Sequence, residues 1–154
     1  ELKNKNTDFH LLAGGECYGN DEKYTRLISD LEISDNITWH NWYIPDSEVT
    51  DYFSAADVVA LPYRTASQSG ITQIAYSYDL PVIVTNVGGL PEIVDEGKSG
   101  FTISPENPEE LAVVFAENLG NSTFSEMNKY ITTFKQKFSW NNFVDGIETV
   151  YKRI

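Results

Sequence analysis

Two short loops of small and polar residues hold most of what this sequence offers for chemistry. The first, Thr65-Ala66-Ser67-Gln68-Ser69-Gly70, precedes a segment of helical period with Ile71, Ile74, Ala75 and Tyr78 on one face. Such a loop aims backbone N–H groups and the positive end of a helix dipole at one spot, which suits an anion. Ser67 and Ser69 can add hydroxyl donors, and the N–H groups of Gly70 and Ile71 can face a phosphate. One of the two serines is also expected to cap the helix, whatever the function. The second loop, Asn86-Val87-Gly88-Gly89, lacks side chains where a ligand could approach the backbone. Arg64 is the cation nearest to the first loop in sequence, and it either neutralises phosphate or forms a surface ion pair.

Positioning these loops requires a strand before each of them. Val58-Val59-Ala60-Leu61 and Pro81-Val82-Ile83-Val84 are apolar runs of strand length, and the helical segment lies between them. That is the signature of a parallel strand–helix–strand unit, with its ligand crevice beyond the carboxyl ends of the strands. The whole chain reads as α/β, a doubly wound parallel sheet of Rossmann type with helices on both faces and a helical C-terminal tail. Five strands are expected, at 8–13, 36–40, 57–62, 81–86 and 100–104. Asn20 or Asp21 caps a helix whose apolar face is Tyr24, Leu27, Ile28 and Leu31, and Asp46 caps a shorter one carrying Val49, Tyr52 and Phe53. Asn107-Pro108-Glu109-Glu110 opens a helix that Gly120 stops. A second tail helix carries Met127, Tyr130, Ile131, Phe134 and Phe138. A third, capped by Ser139, carries Trp140, Phe143, Val144, Ile147 and Tyr151. All of these stripes are expected to face a core.

Other chemistries find little support. His10 and His40 are the two histidines, far apart and without the spacing of metal ligands, so no metal site is expected. His40, near a strand end, is expected to be structural. The single cysteine, Cys17, allows no internal disulfide and has no obvious catalytic partner. No G-x-S-x-G elbow or hydrolase order of serine, acid and histidine occurs. The 154 residues suffice for one domain spanning 1–154, and 41% hydrophobic with 22% charged residues are globular values. A net charge of −12 argues against nucleic acid or an anionic membrane as partner of this domain. No apolar run approaches a membrane span, and a cytoplasmic location is expected, with the full-length protein at most peripheral at the inner face of the membrane.

The long motif PYRTASQSGITQIAYSYDLPVIVTNVGGLPEIV resembles the signature region of family 4 retaining glycosyltransferases of the GT-B fold. HLLAGGE, DNITWHNWYIPDSEVTDYFSAADVVALPY and FSWNNFVDGIETVY are similar to the rest of that family's C-terminal domain, in the same order. The resemblance implies a donor-binding domain that needs no metal or cofactor and takes a nucleotide diphosphate sugar, a UDP- or GDP-sugar, as substrate. Its implied contacts are Gly14 and Gly15, Tyr43 and Ile44 against the base, the loop Arg64, Ser67, Gln68, Ser69, Gly70 and Ile71, and Gly88 and Gly89. Glu92 corresponds to the family's acid after the double glycine, where it starts a helix and also suits the helix dipole. Two family glutamates, for the donor sugar and the ribose, fall on Ala66 and Ile74. A Q-S-G subset of the family lacks them as well, and there Gln68 would meet the sugar.

By the same resemblance the acceptor, a carbohydrate or lipid-linked glycan, would belong to an N-terminal domain outside this chain. The family's first strand and its lysine-bearing loop would also precede Glu1, leaving the isolated chain inactive. The implied role is transfer with retention in surface polysaccharide synthesis. A catalytically degenerate module serving as a nucleotide-sugar-binding or interaction scaffold is the alternative, suggested by Ala66 and Ile74. An epimerase or glycan phosphorylase would want carboxylates or a pyridoxal lysine that are not offered here. A phosphoacceptor receiver would want an aspartate at a strand end, where Tyr63 and Asn86 stand.

Overall fold

The computed structural model describes residues 1–153. In chain order the main elements are β1 (Leu11–Gly14), α1 (Glu22–Asp30), β2 (Ile37–His40), α2 (Asp46–Ser54), β3 (Val59–Leu61), α3 (Gly70–Ser77), β4 (Val82–Thr85), β5 (Gly100–Ile103), α4 (Pro108–Asn118), α5 (Thr123–Phe134) and α6 (Trp140–Tyr151). Every strand pairing is parallel, as the strand–helix alternation predicts. The strands form two sheets, β1-β2 and β3-β4-β5, so β1 and β3 do not pair. The chain clusters into two compact units, residues 1–56 with 108–121, and residues 57–107 with 122–154.

The second unit holds a packed core. β4 is its central strand, and all four of its residues are buried. Burial on both faces explains why this run is almost wholly apolar instead of alternating. Ala75 and Tyr76 of α3, and Phe124, Met127 and Ile131 of α5, are buried as well. Each large aliphatic side chain so placed contributes about 1.5–3 kcal/mol of hydrophobic stabilisation. Tyr76 packs edge-on against Phe134 and stacks with Phe138. Its hydroxyl donates to the Ile93 carbonyl at 3.0 Å and lies 3.0 Å from Ser99 Oγ, which in turn accepts from the Asp95 N–H at 2.8 Å. A large phenol is thereby buried with its polar end satisfied. Lys135 Nζ, at the end of α5, reaches Asp79 Oδ1 at 2.8 Å and the Ser77 carbonyl at 3.2 Å, closing the end of α3.

The first unit is built on two strands alone, with Gly14 opposite His40 in the register. No residue of β1 or β2 is fully buried. Tyr24 of α1 packs on Trp39 with ring centroids 5.4 Å apart. Two expectations require correction. The stripe Tyr24, Leu27, Leu31 on α1 is largely exposed, with only Ile28 intermediate, and the α6 stripe Trp140, Phe143, Val144, Ile147 and Tyr151 is exposed throughout. Periodicity made both helices amphipathic, but among the described residues most of each stripe stays exposed.

The helix starts follow local chemistry. Asn20 Oδ1, rather than Asp21, accepts the Glu22 N–H at 2.8 Å. Ser139 Oγ caps α6 by accepting from the Asn142 N–H, and Pro108 is the first residue of α4. Asp46 lies inside the first turn of α2, after Pro45, and does not cap it from outside. Glu92 does not start a full helix: Pro91–Ile93 is one 3-10 turn, too short for a substantial dipole.

Candidate functional site

The loops after β3 and β4 are locked to each other in the second unit. Ser69 is the N-cap of α3 in extended conformation, and its Oγ accepts the Ile71 N–H at 3.2 Å. The Ile71 N–H is therefore occupied, while the serine keeps its hydroxyl proton to donate outward. Gly70, at the first helical position, has an N–H with no carbonyl one turn earlier to receive it. Gly70 is exposed, and a Cβ built on it would meet nothing within 4 Å. Thr72 Oγ1 donates to the Ser69 carbonyl at 2.6 Å and pins the turn from beneath.

Gly88 and Gly89 prove to be required by the protein's own backbone. Gly88 has φ +52°, and a Cβ there would lie 1.9 Å from the Ala66 carbonyl oxygen. The Gly89 N–H donates to the Ser67 carbonyl at 2.8 Å. The close approach expected for a ligand is thus made first by the 66–67 loop, which the double glycine holds in place. Gln68 lies beside Gly89, its Cγ 3.5 Å from where a Cβ would be. Below, Thr85 Oγ1 donates to the Tyr63 carbonyl at 2.6 Å and joins the ends of β3 and β4. Ser67, Gln68, Ser69, Gly70, Ile71, Gly88 and Gly89 are consequently one assembly. Arg64 stands apart from that assembly in its bonding, paired with Glu106 at 3.2 Å, with both side chains mostly exposed. Glu92 is exposed on the turn that follows, its N–H directed to the Gly89 carbonyl at 3.3 Å.

The candidate residues of the first unit gather at the ends of β1 and β2. The Gly15 N–H donates to the His40 carbonyl at 3.0 Å. His40 stacks on Trp42, centroids 4.4 Å apart, and its Nδ1 is hydrogen-bonded to the Tyr52 hydroxyl. Tyr52 lies so close to Gly14 that a Cβ there would be 2.6 Å from Cε1. Partial burial, and then the Glu48 carboxylate, raise the Tyr52 pKa above the ordinary phenol value, so its proton is retained. Asn41 Oδ1 accepts the Cys17 N–H at 2.8 Å and its Nδ2 donates to Asp21 at 2.6 Å, joining the loop after β1 to the end of β2. Tyr43 is 69% exposed and Ile44 is half-buried.

Sequence reasoning did not single out Tyr52, Asn41 or Trp42 as site residues. Tyr52 was read as a core position of α2, and nothing local signals a bond to a histidine twelve residues earlier. Among the described residues, no group of three or more histidines, cysteines or carboxylates could hold a metal ion. No helix of the described residues is long and apolar enough to cross a membrane.

The profile of the family "Glycosyl transferases group 1" matches residues 1–121. A D-inositol 3-phosphate glycosyltransferase of Corynebacterium jeikeium is 30% identical over 115 residues, which are 71% of this chain and 26% of that protein. An uncharacterized glycosyltransferase of Methanocaldococcus jannaschii is 26% identical over 99% of this chain and 42% of its own length. Among solved structures, Anabaena HepE in complex with UDP and glucose superposes with a TM-score of 0.75 at 18% identity, over 94% of this chain and 41% of that one. Sucrose-phosphate synthase from Thermosynechococcus elongatus gives 0.75 at 21% identity, over 93% and 37%. These structural likenesses establish the Rossmann-like fold of the GT-B proteins. The chain thus spans well under half the length of each of these four proteins.

Proposed function

The chain belongs to the group 1 glycosyltransferases, and from that membership we propose that it binds the donor in an enzyme that moves a sugar from a nucleotide diphosphate to an acceptor hydroxyl. The observation that carries this reading is the locked pair of loops beyond β3 and β4. There an exposed Gly70 at the first position of α3 and the Ser69 hydroxyl at its N-cap stand together. Parallel α/β sheets take ligands at this end of their strands. In the reaction, these groups would hold the departing diphosphate, whose negative charge grows as the glycosidic bond breaks. They would supply position and fixed dipoles instead of proton transfer. HepE, solved with UDP, supports a uridine nucleotide, and guanosine is the other candidate. Gln68 and Glu92 are the proposed donor-sugar contacts. Gly14, Gly15, Tyr43 and Ile44 are the proposed contacts of the nucleoside end.

Retention at the anomeric carbon, a role in surface polysaccharide synthesis and an acceptor that is a carbohydrate or lipid-linked glycan complete the proposal. The acceptor would be held by the part of the protein corresponding to the unmatched length of the relatives. The second reading, a scaffold that has lost catalysis, is favoured by Ala66 and Ile74 alone.

Calorimetry of the full-length protein with UDP and GDP tests both. Gly70→Asp places a carboxylate in open space at a helix start, where the fold accepts it, and directly before the proposed phosphate. It should abolish nucleotide affinity while the melting temperature holds. Retained affinity would remove this loop from the site. Ile74→Glu, at a half-buried position of α3, should leave affinity intact or improve it. Absence of binding by the wild type would favour the scaffold.

A further inference from the structure

We propose that Tyr52 is a positioning residue for the nucleoside end of the donor, acting through His40 on the aromatic segment Trp42-Tyr43, an inference that rests on the donor-binding reading. His40 is the last residue of β2, so its ring stands at the carboxyl end of a parallel strand. Three contacts fix that ring. Trp42 stacks on one face at 4.4 Å and 27°, Tyr52 meets it edge-on at 5.6 Å and 81°, and the Tyr52 hydroxyl bonds its Nδ1. The Tyr52 hydroxyl can donate or accept in that bond, so it holds the ring in either tautomer.

Tyr52 is itself immobilised, since its ring is seated against the Gly14 backbone on the neighbouring strand. From the other side Asn41 clamps the same segment to the loop after β1. Residues 41–45, which have no regular structure, are therefore held near both ends, by the strand and by the start of α2 at Asp46. What this scaffold holds toward solvent is an indole that is 49% exposed and a phenol that is 69% exposed. Of these the indole is fixed by its stack on His40. An exposed aromatic plane fixed at a strand end suits a flat heteroaromatic ring, and fixing it in advance removes an ordering cost from binding. The proposed diphosphate contacts are other residues, those of the loop before α3. A change at Tyr52 should thus be felt by the base and not by the diphosphate.

Tyr52→Phe keeps the ring against Gly14 and deletes only the hydroxyl. In the full-length protein it should weaken binding of the preferred nucleoside diphosphate about fivefold, the scale of one lost hydrogen bond. Inorganic pyrophosphate affinity, measured by displacement, should be unchanged, and the melting temperature should move by a few degrees at most. His40→Asn, which retains a polar partner for Tyr52 but loses the stack on Trp42, should show the same selective loss. Unaltered nucleotide affinity in Tyr52→Phe would overturn the inference, as would an equal loss for nucleotide and pyrophosphate, which marks a merely structural role. Failure of the wild type to bind either nucleotide would instead overturn the donor reading on which it rests.

Discussion

β4 and β2 are both four-residue parallel strands, yet every residue of β4 is buried and no residue of β2 is. The same contrast separates α5 from α6. Ile131 and Ile147 each lie on an apolar stripe of helical period, and the first is fully buried while the second is 55% exposed. Amphipathic period is a statement about one helix; burial is a statement about what lies across from it. In the second unit, β3, β4 and β5 surround one another and α3 and α5 supply buried side chains. The α6 stripe, in that same unit, stays half or more exposed at most positions. The first unit has two strands, and none of their residues is fully buried.

This contrast can be broken most directly by paired truncations. Ile131→Ala should cost about 2–5 kcal/mol in chemical denaturation, because it opens a cavity in a closed core. Ile147→Ala should stay within about 0.5 kcal/mol in the same chain, since more than half of that residue is already exposed. Equal losses would mean that the α6 stripe is covered after all.

Alkaline titration sharpens the picture of the core. Burial raises the Tyr76 pKa from 10.0 to about 12, against a smaller lowering by its Ser99 hydrogen bond. The folded state thus holds this proton more tightly than the unfolded chain. The corresponding stability, about 2–3 kcal/mol, is fully present below pH 10 and is lost as pH rises through 12. Denaturation midpoints of Tyr76→Phe should fall less steeply across that window.

A methyl group at Gly88 probes the locked loops. Gly88→Ala combines a left-handed φ with a 1.9 Å clash against backbone, and should cost about 1–3 kcal/mol together with nucleotide affinity. Amide exchange offers a gentler comparison. β4 amides should exchange through global opening, and β1 and β2 amides far faster, through local opening. The smallest effect is expected at Asp95, whose pKa is lowered by the Tyr130 hydroxyl and then by Lys98. Its contribution is present above the ordinary carboxylate pKa and is lost as pH falls through the lowered one. Tyr130→Phe should slightly flatten the acid limb of the stability profile.

The strand–helix–strand unit around the two loops was legible because each of its signals is local. Apolar runs, a helical stripe, a serine before the helix and a double glycine all report on neighbours within a few residues. Ser69 and Ser139 cap as anticipated for that reason. The double glycine was legible as a place of close approach, while the partner was not. The Ala66 carbonyl that occupies the space comes from the preceding loop, twenty-two residues earlier. Arg64 carried two readings until the fold brought Glu106 beside it.

The sequence by itself determined the element types, their order, the parallel sense of the strands and the family. Turn chemistry, capping and side-chain period act over about four residues and need no tertiary partner. Tertiary structure alone decided which stripes lose their water, that Tyr52 bonds His40 across the end of β2, and that Gly88 yields its space to Ala66. Those outcomes depend on which surfaces meet across the chain. An apolar side chain carries the same period whether a partner covers it or solvent does, and only the folded chain supplies the partner.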